Sequence, residues 1–183
     1  MRHQDSAKPP AALPGAAGYR FAVIVSRFNA SITGALGAGA RAALIEAGVS
    51  VSDIEEIGVP GAFELPQAAR CAAETGRFDA VICLGCVIRG ATPHFEYISS
   101  AVAHGLMAAA GETGVPIAFG VLTTDTEVQA EERAGPGRDN KGWEAAAAGM
   151  EMAVLFRKLG RPPARTPARA FGFDPGAPRG QQS

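Results

Sequence analysis

The sequence predicts a three-layer α/β domain, a four-stranded parallel sheet covered by helices on both faces. Three observations predict it. Four short runs rich in aliphatic residues recur at 21–25, 54–59, 80–85 and 117–122. Segments of helical period separate them, so each connection is a crossover rather than a hairpin. At 183 residues and 47% hydrophobic the chain can bury a full core without disulfide or metal staples.

Phe21-Ala22-Val23-Ile24-Val25 is apolar throughout, as a strand buried on both faces must be. A helix is expected at 31–47, with Leu36, Ala40, Ala43, Leu44 and Ala47 on one face and Gly48 to end it. Gly34, Gly37 and Gly39 weaken that helix by roughly 1 kcal/mol each relative to alanine, so a close approach of backbone must compensate. The second strand, 54–59, leads through Pro60-Gly61-Ala62 to a helix at 63–75, where Pro66 is tolerated in the first turn and Gly76 stops it.

The third strand, 80–85, is followed by a helix for which Thr92 is the expected N-cap and Pro93 the first helical residue. Phe95, Ile98, Val102, Leu106 and Ala109 then repeat at helical spacing. Strand four is 117–122. Thr126 and Gln129 suggest a capping box for a short helix to about Arg133. A last helix, 142–159, is expected to bury Trp143, Ala147, Met150 and Val154.

Outside this body, 1–18 reads as a flexible arm and 161–183, dense in Pro, Arg and Gly, as a disordered tail. A net charge of −1 argues against nucleic acid or an acidic membrane surface as partner. No apolar run approaches the roughly 20 residues that span a bilayer, and the N-terminus lacks the apolar stretch of a secretory signal. Three cysteines, Cys71, Cys83 and Cys86, form no even framework, so a reducing cytoplasm is expected. Cys83 and Cys86 form a C-x-x-C, but Cys83 lies inside an apolar strand, against a redox role.

Open parallel sheets bind ligands beyond the carboxyl ends of their strands. That rule selects Arg27-Phe28-Asn29, Gly61-Ala62-Phe63-Glu64, the stretch from Val87 to His94, and Thr123-Thr124-Asp125. In the third of these a glycine-containing loop enters a helix start, which offers backbone N–H groups to an anion. Thr92 adds a hydroxyl, Arg89 lies close by, and His94 brings an imidazole able to exchange protons near neutral pH. Singly, these residues have plainer readings: His94 as a surface histidine, Phe28 as a plug, Lys141 as a solvated cation, Trp143 as core.

Five separated motifs in order are more specific. Ser26-Arg27-Phe28-Asn29, Val59-Pro60-Gly61-Ala62-Phe63-Glu64-Leu65-Pro66, the run from Gly85 to Tyr97 (GCVIRGATPHFEY), Phe119-Gly120-Val121-Leu122-Thr123, and Gln129 to Gly135 with Asn140 to Ala146 resemble the lumazine synthase family across about 19–160. The resemblance implies a flavodoxin-like fold, a catalytic domain over 19–160, and condensation of 5-amino-6-(D-ribitylamino)uracil with 3,4-dihydroxy-2-butanone 4-phosphate in riboflavin biosynthesis. It implies that Phe28 stacks on the pyrimidine, that Ala62, Phe63 and Glu64 hold the ribityl chain, and that Cys86, Val87 and Ile88 line the uracil edge. Ala91, Thr92 and Arg133 would bind phosphate, His94 would transfer protons and Phe119 would close the pocket. Asn29, Arg89, Lys141 and Glu144 are further candidates.

The resemblance also implies that Phe119 and Arg133 come from a neighbouring subunit, so the partners are two small molecules and other copies of the chain. A pentamer is the smallest such assembly, and the short segment 135–140 favours a sixty-subunit icosahedral shell. Glu131 departs from the family, where an apolar residue is common. The reaction has no redox step, so neither cofactor nor metal is expected. Three rivals remain: an FMN-binding flavodoxin-like carrier, a riboflavin synthase of the same fold, and a non-catalytic shell protein.

Overall fold

The computed structural model describes residues 12–162. Four parallel strands, β1 (Phe21–Ser26), β2 (Ile54–Val59), β3 (Ala80–Ile88) and β4 (Ile117–Thr124), form one sheet in the order β2-β1-β3-β4. Among the described residues five α-helices surround it: α1 (Ala30–Glu46), α2 (Leu65–Glu74), α3 (His94–Thr113), α4 (Glu127–Arg133) and α5 (Lys141–Lys158). Among the described residues no helix is long and apolar enough to cross a membrane.

Alternation along β3 divides the core. Ile82, Leu84 and Cys86 face one cluster with Leu36, Leu44, Trp143 and Met150, beneath α1 and α5. Val81 and Cys83 face another with Leu65, Ala69, Val102 and Leu106, beneath α2 and α3. Cys83 and Cys86 therefore point to opposite faces, and all three thiols are free. Burial pushes the Cys83 thiol up and raises that of Cys86 to about 11, so neither is a thiolate at neutral pH.

Several boundaries differ from expectation. β3 and β4 run on to Ile88 and Thr124 because their ladder continues past Gly85. Helix α3 begins at His94 with Pro93 as its boundary, and Thr92 caps nothing; the Pro93 carbonyl already accepts from the N–H groups of Glu96 and Tyr97. The capping box on α4 is half formed. Thr126 accepts from the Gln129 N–H at 3.3 Å, but the Gln129 amide oxygen accepts from Asp125, not Thr126. Val154 and Ala47 are only half-buried, and Ala153 takes the core position expected of Val154.

The expected arm does not extend over 12–18. Residues 12–18 lie against the domain, where Ala16 is fully buried and its N–H donates to the Ala47 carbonyl. Arg161, expected in the tail, donates to the Asp79 carbonyl. The remainder of both expected tails, 1–11 and 163–183, lies outside the described residues.

Two glycines explain how α1 tolerates its composition. A Cβ on Gly142 would sit 2.0 Å from the Leu36 carbonyl oxygen, so α5 crosses α1 at backbone distance. A Cβ on Gly39 would sit 2.3 Å from the side-chain oxygen of Asn140. Asn140 is buried: its side-chain oxygen caps α5 through the N–H groups of Gly142 and Trp143, and its amide donates to the carbonyls of Ala35, Ala134 and Gly135.

Candidate active site

The strand order reverses between β1 and β3, and the crevice beyond the carboxyl ends of those two strands is where such sheets bind ligands. Asn29 spans it. Its backbone is left-handed, φ 57°, a conformation asparagine tolerates better than most residues, and its side-chain amide donates to the Cys86 carbonyl at 3.1 Å. The preceding N–H groups of Arg27 and Phe28 donate to the carbonyls of Val59 and Pro60. These three bonds fix the loop while leaving the Phe28 ring 69% exposed.

Opposite it, residues Ala62–Glu64 form a single 3-10 turn. Glu64 folds back so that one carboxylate oxygen accepts from the Gly61 N–H at 2.8 Å. The other oxygen has no protein donor among the described residues. Ala62 is buried beneath the turn, and Phe63 stands 59% exposed above it. Two exposed aromatics beside one cleft are costly in water and suit a flat ligand.

The cleft, about 380 Å³, is lined by Phe28, Ala62 and Phe63 and by Cys86, Val87 and Ile88 at the end of β3. Thr92 and His94 line it as well. That volume lies within the range of small-molecule sites. The structure thus gathers eight of the expected residues around one cavity. Sequence reasoning assigned Phe95 only to the helix face, yet it is half-buried and lines the cleft as well; its place beside His94 was the available signal.

The loop 90–94 runs along the cleft exposed, and the Thr92 hydroxyl and Ala91 N–H make no bond among the described residues. Arg89, by contrast, is fully engaged. It donates to Asp125 at 2.7 Å, pairs closely with Glu96, and lies 4.2 Å over the Phe95 ring. Its guanidinium holds the Glu96 carboxyl below the usual carboxylate range.

Four expected residues lie elsewhere. Phe119, Arg133, Lys141 and Glu144 line a separate groove of about 410 Å³ along the free edge of β4. There the Lys141 ammonium donates to both Glu144 oxygens at 2.7 Å. Arg133 has a single partner, the Gln129 carbonyl at 2.8 Å, and no carboxylate among the described residues. The chain therefore presents an aromatic cleft with an imidazole at one place, and an unpaired guanidinium with an exposed phenylalanine at another.

Comparison with known proteins bears on this arrangement. Residues 18–157 match the family model described as 6,7-dimethyl-8-ribityllumazine synthase. The chain is also 56% identical over 144 residues, 79% of its length and 94% of the relative's, to the 6,7-dimethyl-8-ribityllumazine synthase of Syntrophus aciditrophicus (strain SB).

Proposed function

The chain belongs to the 6,7-dimethyl-8-ribityllumazine synthase family, and from that premise we propose that its two concavities are complementary halves of one active site, completed between adjacent subunits. The enzyme is a transferase of riboflavin biosynthesis with two small-molecule substrates, a ribitylamino-uracil and a four-carbon ketose phosphate. The carrier, riboflavin synthase and shell-only readings are not favoured.

In the proposed site Phe28 stacks on the uracil, while backbone groups of Cys86, Val87 and Ile88 meet its edge. Ala62, Phe63 and Glu64 hold the ribityl chain, the free Glu64 oxygen accepting from hydroxyls. Ala91 and Thr92 cradle the phosphate with Arg133 of the next subunit, and that subunit's Phe119 covers the ring. The division of the residues between two grooves of one chain supports this reading, because the cleft that holds Phe28, Thr92 and His94 is lined by no arginine or lysine, and the groove that holds Arg133 is lined by no histidine.

The uracil's free amine attacks the ketone and loses water to give an imine. Phosphate leaves by elimination, and ring closure with loss of a second water gives the lumazine. His94, in the lining of the cleft, moves protons between these steps. Proton transfer of this kind contributes roughly 10²–10⁴-fold, whereas holding two reactants in register removes ~7–11 kcal/mol of barrier in favourable cases. His94→Ala is therefore expected to slow turnover by about 10²-fold or more while leaving measurable activity. Complete loss with unchanged substrate binding would reverse that ranking.

For the assembly we propose at least a pentamer and, from the short segment 135–140, an icosahedral shell of sixty subunits. Exposed Met107, Phe119 and Met152 along the free edge of β4 supply apolar surface for the contact. The proposed catalytic unit is 19–160, and the three free cysteines favour a reducing cytoplasm.

The test is direct. The purified assembly, given both substrates, should form fluorescent lumazine and release phosphate in equal amounts, and given lumazine alone should form no riboflavin. Riboflavin from lumazine alone, or no product from the two substrates, would overturn the reading.

A further inference from the structure

The loop 90–94 has little of its own to hold its shape. Gly90, Ala91, Thr92 and His94 are exposed, and none makes a side-chain hydrogen bond among the described residues. An exposed segment without such bonds samples many conformations, and a phosphate cradle that does so binds weakly. The restraint comes from its flank. Arg89 follows directly on β3, and its N–H extends the ladder by donating to the Thr124 carbonyl at 2.9 Å. Its side chain reaches forward across the loop to Glu96 in the first turn of α3, and sideways to Asp125 after β4, with the Phe95 ring beneath the guanidinium. The Arg89–Glu96 pair thereby closes residues 89–96 into a short ring, and Asp125 ties that ring to the sheet.

We propose that Arg89 is a positioning residue for the phosphate-bearing substrate: it braces the 90–94 loop through Glu96, Asp125 and Phe95 and does not itself bind the phosphate. This rests on the assignment of that loop to phosphate given above. A guanidinium shared by two carboxylates carries no surplus positive charge to offer a dianion, and the same two carboxylates repel one. Arg133, bonded only to a carbonyl, is in the opposite state. Two candidate cations in the same sequence are thus separated by their partners: one builds the cradle and the other is free to fill it.

The sign of one substitution tells a brace from a ligand. If Arg89 braces the loop, both Arg89→Gln and Asp125→Asn raise the Michaelis constant for the butanone phosphate, by about five- to tenfold, because either change opens the bracket. The constant for the uracil substrate should stay within about twofold, and the double variant should be no worse than Arg89→Gln alone, since both act through one contact. If Arg89 were a phosphate ligand, Asp125→Asn would release it and lower the constant. Melting midpoints should stay within about 2 °C of the parent, since exposed ion pairs contribute little to stability. Calorimetric titration of the assembled proteins with inorganic phosphate should give the same order of affinities. That titration does not need turnover, so a parent that binds phosphate in an Arg89-dependent way yet makes no lumazine contradicts the functional reading and not this one. Unchanged or improved phosphate affinity in Asp125→Asn, or no phosphate binding by the parent, overturns the proposal.

Discussion

Replacement of Arg133 by alanine is expected to lower kcat/KM for the butanone phosphate by about 10- to 100-fold, corresponding to the ~1.5–3 kcal/mol of a charged hydrogen bond. The size of the effect follows from what surrounds the residue. Its guanidinium has one neutral partner, the Gln129 carbonyl, so little of its interaction capacity is spent within the chain. Its side chain is exposed, while α4 packs on the core through Ala130 at another position, and removal of the guanidinium leaves no buried group unpaired. The fold should therefore survive the change, and the uracil substrate, which carries no phosphate, should keep its Michaelis constant. Arg133→Lys should restore part of the loss, since an ammonium supplies charge but not a planar pair of donors. Unchanged kinetics in Arg133→Ala would remove this residue from the site.

The second large effect concerns the scaffold. Gly142→Ala places a methyl carbon 2.0 Å from the Leu36 carbonyl oxygen and 2.6 Å from its carbonyl carbon, and both are backbone atoms that no side-chain rotation can move. Helix α1 or α5 must shift bodily, and overpacking of this kind typically costs about 1–3 kcal/mol. For a chain of this length that corresponds to roughly 2–12 °C in melting temperature. Activity should fall as well, because α1 follows directly on Asn29, which sets Phe28, and α5 begins at Lys141. Gly34→Ala, in the same helix α1, meets nothing within 4 Å. Its melting temperature should hold or rise, because alanine favours the helix by roughly 1 kcal/mol over glycine. Equal melting temperatures for the two variants would mean that the close crossing of α1 and α5 is not what Gly142 provides.

The contrast between these glycines marks how far the sequence could be read. Aliphatic runs located all four strands, because a strand buried on two faces must be apolar and little else in the chain is. The run around β2 was weaker, with Glu55 and Glu56 in its middle; it is an edge strand, and those glutamates pair with Arg77 and Arg41 at its rim. Three glycines in α1 announced a close approach without saying to what, since the answer lies in Asn140 and Gly142 about a hundred residues on. Asn140 itself, immediately before a helix, carries the ordinary signature of an N-cap, which says nothing of the bonds its amide makes to Ala35, Ala134 and Gly135.

The cleft was legible in part for a different reason. The rule that ligands sit beyond strand ends selected Phe28, Ala62 to Glu64 and the 87–94 loop from element order alone. The resemblance supplied roles that spacing could not. Neither route could foresee how Arg89 and Arg133 differ, because both are arginines beside an expected phosphate and only their partners distinguish them. Nor could the one-residue shift of α3 be seen, since Thr-Pro-His fits a cap at threonine as well as a start at histidine.

The proposed active site requires two grooves of different chains to meet, and one measurement addresses that meeting. His94→Ala and Arg133→Ala chains, each slow alone, are unfolded, mixed in equal amounts and reassembled. If the cleft of one chain is completed by the β4 edge of the next, random mixing in a closed ring restores about a quarter of the sites to two intact halves, and activity rises to about a quarter of the parent's. If instead each chain completes its own site, the mixture gives no more than the average of the two slow variants.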